Sequence, residues 1–121
     1  MQSLNIWEAA KENSNFRKVL YTNSHSQLVL MSVEVGDDIG KEVHHVDQVL
    51  VFVSGTCRAE IDGEQKDVSE GEVVVVPAGS THNFTNTGSE PLKLFTVYAP
   101  AEHPERTIHA TKAEAEEAEH V

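Results

Sequence analysis

The sequence predicts an all-β fold, a sandwich or barrel, with a short helix at each end. Two observations predict it. Between Phe16 and Pro100, short apolar or alternating runs follow one another at close spacing. Most are separated by Gly, Pro or a tight polar turn, the pattern of antiparallel all-β architectures. At 121 residues the chain fits one domain, 1–121, able to build a core without disulfide or metal staples.

The elements follow in order. Residues 3–12, SLNIWEAAKE, read as a helix capped by Ser3, with Leu4 and Trp7 on one side. Strands are expected at 16–22, 26–35, 49–54, 56–61, 64–69, 72–78, 82–87 and 91–99. Asp62-Gly63 is a two-residue hairpin signal between the fourth and fifth of them. The core barrel is thus expected over about 16–100. The rest, 101–121, reads as an acidic tail with a short helix that has only alanines to pack. Thr111 and Glu114 have capping-box spacing there. Its histidines, His103, His109 and His120, are expected to face solvent.

Charge and apolar runs exclude some partners. Nine Lys and Arg stand against twenty Asp and Glu, a net charge of -11. Phosphate backbones and anionic membrane surfaces are bound through Lys and Arg, so nucleic acid and membrane are not expected partners. No apolar run approaches the roughly 20 residues of a membrane span. The single cysteine, Cys57, cannot form an internal disulfide. The N-terminus lacks the basic-then-apolar pattern of a leader, so the cytoplasm is the expected compartment.

The chemistry concentrates in 36–55, GDDIGKEVHHVDQVLVFVSG. Glu42, His44, His45, Asp47 and Gln48 fall within seven positions, and an apolar strand follows at once. Alternation puts Glu42, His44 and Gln48 on one face of a regular strand and His45 and Asp47 on the other. A bulge would exchange the two sets. His45 and Asp47 are expected to make an outward His–Asp hydrogen bond or an interface contact.

Glycine spacing extends the pattern. Gly36, Glu42, His44, Gln48 and Gly55 form one series, and Gly71, Pro77, Gly79, His82 and Asn86 a second. These resemble the two cupin motifs, G(X)5HXH(X)3–4E(X)6G and G(X)5PXG(X)2H(X)3N. The second matches at every fixed position. In the first, Glu42 stands for the leading histidine and Gln48 for the glutamate. The resemblance covers roughly residues 26–99. It implies a jelly-roll (double-stranded β-helix) barrel, a homodimer, and a divalent metal between the motifs. The implied ligands are Glu42, His44, Gln48 and His82. The apolar edges of strands 16–22 and 26–35 are a further reason to expect pairing of two chains.

Two imidazoles and one carboxylate suit Zn, Fe or Mn, and Ni is a further candidate. The same donor inventory resembles that of the zinc-dependent mannose-6-phosphate isomerases, in another order along the chain. Leu50, Phe52 and Phe84 continue the faces of these residues and are expected to line a pocket for a small oxygen-containing molecule. Lys41 and Arg58 are expected to point away from it, which argues against a phosphate substrate. Three classes stay open. One is a metal-dependent enzyme, either isomerase or lyase or non-haem iron dioxygenase, with Glu42 as catalytic base if it is not a ligand. The others are a non-catalytic ligand binder and a metal-free structural or sensor protein. Asn86 is read as structural, and Cys57 as a buried small hydrophobe.

Overall fold

The computed structural model describes residues 1–119. Ten strands build two antiparallel sheets that face each other as a jelly roll. In chain order they are β1 (Arg17–Thr22), β2 (Gln27–Val33), β3 (Glu42–Val43), β4 (Asp47–Ser54) and β5 (Thr56–Ile61). Then come β6 (Glu64–Ser69), β7 (Val73–Val76), β8 (Thr81–Asn86), β9 (Leu92–Ala99) and β10 (Ile108–His109). One sheet has the order β10-β1-β2-β9-β4-β7 and the other β3-β8-β5-β6. Helices α1 (Ile6–Glu12) and α2 (Lys112–Glu119) flank the strands.

Local chemistry accounts for the turns that fix this register. Asp62 and Gly63 both have positive φ, 48° and 85°, as the tight hairpin between β5 and β6 requires. Gly55 has φ 97°, and a Cβ there would lie 3.3 Å from Leu92 Cα and from the Pro91 carbonyl oxygen. Only glycine satisfies both demands at once.

The space between the sheets is filled by side chains. Leu50 and Phe52 from β4, Leu92 and Leu94 from β9, Val29 and Met31 from β2 and Phe84 from β8 are all fully buried. The Phe52 and Phe84 rings, one from each sheet, have centroids 5.8 Å apart. Each such side chain contributes about 1.5–3 kcal/mol on burial.

The N-terminal helix packs Ile6, Trp7, Ala9 and Ala10 against Leu20, Leu30, Val53 and Phe95, on the outer face of the larger sheet. Its cap is Asn5, whose side-chain oxygen accepts from the Glu8 amide, and not the expected Ser3. Leu4 is exposed. β2 lies between β1 and β9, so it has no free edge, and the short β10 pairs Arg17 and Lys18 of β1. The apolar edges expected of strands 16–22 and 26–35 are largely covered within the chain.

The larger correction concerns the tail. It does not fray. Lys112 bridges Asp37 and Asp38, and the hydrogen bond from Asn83, then that from Lys112, hold the Asp38 carboxyl below its ordinary range. Ala115 is buried in the barrel core. Glu114 receives an amide bond at one end, its Oε2 accepting from Ala110, while its own amide donates to Thr111 Oγ1. His103 and His109 are half-buried, not exposed, and His120 lies outside the described residues.

Candidate metal centre

The site sits where the two sheets meet. β3 pairs with β8, and Glu42 lies directly opposite His82 in that ladder. The chain leaves β3 at His44 and enters β4 at Asp47, so His44 stands in the link between sheets. Its carbonyl oxygen accepts from the Gly79 amide at 2.8 Å, tying the first motif to the turn of the second. One ligand atom from each of Glu42, His44 and His82 falls within 4.8 Å of the others. His44 and His82 are buried and Glu42 is partly so.

Both imidazoles are oriented by an acceptor at Nδ1. The Ser80 carbonyl oxygen lies 2.9 Å from His82 Nδ1, and Glu102 Oε1 lies 2.6 Å from His44 Nδ1. A carbonyl or carboxylate oxygen accepts, so each ring donates from Nδ1 and, when neutral, keeps its lone pair at Nε2. His44 Nε2 is 3.5 Å from Glu42 Oε2 and has no hydrogen-bond partner among the described residues. This is how metal-binding histidines are usually held.

Gln48 is buried on β4, opposite Tyr98 and Val76. Its Nε2 donates to Thr96 Oγ1, while Oε1 is buried with no partner among the described residues. Two orphaned acceptors, a His Nε2 and an amide oxygen, are what a donor set for a cation presents. The residues present therefore fit a divalent metal. The alternation argument correctly separates the faces: His45 and Asp47 are exposed. Their expected mutual bond is replaced, for Asp47, by one from the Ala78 amide to its Oδ1.

A cavity of about 530 Å³ opens beside Glu42 and His44. Its walls differ from the expected ones. Leu50, Phe52 and Phe84 are sealed in the core, and their place is taken by Arg17, Lys41, Glu102, His103 and His109. Lys41, expected to point away, lines the cavity, whereas Arg58 does pair outward with Asp67. The inferred scarcity of positive charge does not hold. Arg17 had a sequence signal: it shares strand parity with the buried Val19, and a charge at an inward position is a site candidate. Glu102 had none, because it reaches His44 from the tail. Gln27 holds it there, its Oε1 accepting from the amides of Glu102 and His103 and its Nε2 donating to the His103 carbonyl.

The comparisons agree with this architecture. Residues 29–98 match the family model of the cupin domain. The chain belongs to the cupin family. It is 45% identical to the uncharacterized protein YrkC of Bacillus subtilis over 124 residues, 96% of this chain and 66% of that protein. It is 36% identical to the uncharacterized protein L612 of Acanthamoeba polyphaga mimivirus over 118 residues, 93% of this chain and 73% of the other. The chain thus spans about two thirds to three quarters of these relatives. A crystal structure from Bacillus halodurans superposes with TM-score 0.95 at 41% identity, covering 96% of this chain and 93% of that one. This cupin shares its fold with the Bacillus halodurans protein, and the site chemistry has to be read from its own residues.

Proposed function

We propose that this protein is a metal-binding cupin whose ion is held by Glu42, His44, Gln48 and His82, and that a small oxygen-containing organic molecule binds beside the ion in the adjoining cavity. The observation that carries the reading is the cluster of Glu42, His44 and His82, whose ligand atoms lie within 4.8 Å of one another, with His44 Nε2 buried and without a hydrogen-bond partner among the described residues. Gln48, whose buried Oε1 also lacks one among them, is added on its place in the first motif. Zn, Fe, Mn and Ni all accept such a mixed nitrogen and oxygen set. When bound, the metal would supply Lewis acidity toward a substrate oxygen. Glu42 is the least buried donor, and if a substrate displaced it, it would be the base at hand. Redox-neutral isomerase or lyase chemistry suits this arrangement, and bound iron would favour a dioxygenase.

A second reading is favoured by one distance. Glu42 Oε2 lies 3.5 Å from His44 Nε2, so a protonated His44 between Glu42 and Glu102 would make a metal-free polar network, as in a sensor or ligand-binding cupin. Metal content per chain separates the two. Wild type should carry about one equivalent, and His44→Ala and His82→Ala none, each still folded on its apolar core. His45→Ala should keep the metal. Stoichiometric metal in His44→Ala would overturn the ligand set.

A homodimer is also proposed. Its support has moved to β7, an edge strand with two exposed valines, Val73 and Val75. A monomer mass in light scattering at micromolar concentration would count against it. The free, buried Cys57 is compatible with the proposed cytoplasmic location.

A further inference from the structure

Arg17 is 2% exposed, yet it lines the cavity beside Glu42 and His44. A buried guanidinium is ordinarily matched by a carboxylate, because removing an unpaired charge from water costs several kcal/mol. Here none of the ion pairs among the described residues involves Arg17. Its Nε is buried with no hydrogen-bond partner among them, and its Nη1 meets His109 Nδ1 at 3.3 Å, a contact that brings no negative charge. Glu102 shares the cavity wall but its Oε1 is taken by His44 Nδ1. The positive charge is felt nearby: after burial, Arg17 is the next cause holding His103 down to about 3. Lys41 adds a second cation to the same wall.

We propose that Arg17 is the seat of an anionic group on the ligand, a carboxylate or a phosphate, supplying a counter-charge that no ion pair among the described residues gives it. The planar fork of a guanidinium pairs with either group through two parallel hydrogen bonds, and burial strengthens them. The ligand class that follows is a small organic anion with its charged end at Arg17 and an uncharged oxygen toward Glu42, His44 and His82. The inference rests on the cavity of the proposed site and not on the metal.

The test uses chelator-treated full-length protein labelled with 15N. The Arg17 Nε–H resonance is followed while inorganic phosphate, malonate or chloride is added at matched ionic strength. Phosphate, malonate or both should shift it saturably, and chloride should not. Whichever of the two binds more tightly identifies the charged group. Arg17→Met, which keeps the apolar stem, should weaken that binding at least tenfold, and a sample not treated with chelator should carry one equivalent of metal. An equal response to chloride, or unchanged affinity in Arg17→Met, would overturn the proposal. Should Arg17→Met fail to fold, the wild-type resonance decides alone. A wild type that binds the anion but no metal removes the metal reading only, and the reverse result removes this one only.

Discussion

Glu102 Oε1 lies 2.6 Å from His44 Nδ1, across 58 positions of sequence. The tail thus reaches back to the first motif and fixes which nitrogen of His44 faces Glu42. If His44 is a ligand, Glu102 is a positioning residue for it. Glu102→Ala should lower metal affinity about 10- to 100-fold without abolishing it. Glu102→Gln, which keeps an acceptor but not the charge, should fall between. Competition against a chromophoric chelator measures both, and unchanged affinity in Glu102→Ala would show that His44 needs no orienting partner.

Much of this was legible because strands alternate and motifs keep their spacing. The parity that buries His44 and Gln48 and exposes His45 and Asp47 survives even though β3 ends at Val43. The second motif's His82 and Asn86 both lie buried on β8, with His82 opposite Glu42 of the first. Three things were hidden. Glu102 enters the site from the tail through tertiary packing, which local pattern does not encode. The tail's anchors are long-range: Lys112 on Asp37 and Asp38, Gln27 on the backbone of Glu102 and His103, and the small Ala115 in the core. Leu50 and Phe52 do share a face with Gln48, but along β4 that face runs from the site into the core, not along the cavity.

Asn86 should prove structural. It is buried, its Nδ2 donates to the Val33 and Glu90 carbonyls, and its Oδ1 accepts from the Gly88 amide. Asn86→Ala leaves these backbone groups without their partner and should cost about 2–4 kcal/mol in urea unfolding. Metal content under native conditions should not change. Loss of metal with full stability would place Asn86 in the site instead.

Gln48 should be the tunable donor. Its Nε2 donates to Thr96 Oγ1, and its oxygen, part of a neutral amide, offers a dipole but no charge. Gln48→Glu adds a full charge at the proposed fourth donor and should tighten metal binding, while Gln48→Leu should weaken it without the complete loss expected of His44→Ala. Tighter binding need not mean better function, because two carboxylates reduce the Lewis acidity of the ion. If Gln48→Glu binds no tighter, Oε1 does not face the metal.

His103 should make the fold acid-sensitive. Burial, then the charges of Arg17, His44 and His109, push its pKa from an ordinary 6.5 down to about 3. In the folded protein it therefore stays neutral, with Nε2 3.4 Å from the Tyr98 hydroxyl. Above about 6.5 neither the folded nor the unfolded chain protonates it, and it contributes no pH dependence. Between about 6.5 and about 3 the unfolded chain takes up a proton that the folded chain refuses. The unfolded state then binds more protons, so stability falls as pH falls. One proton gives a slope of at most about 1.4 kcal/mol per pH unit, and the partial exposure of His103 makes the actual slope smaller. His103→Gln keeps a polar partner for Tyr98 and cannot titrate. Urea midpoints of the metal-free proteins at pH 7 and pH 5 should therefore drop more for wild type than for His103→Gln. Carboxylates and the other histidines are common to both proteins, so the difference between the two drops isolates this one ring. Equal drops would mean that His103 takes up its proton as readily in the folded barrel as in the open chain.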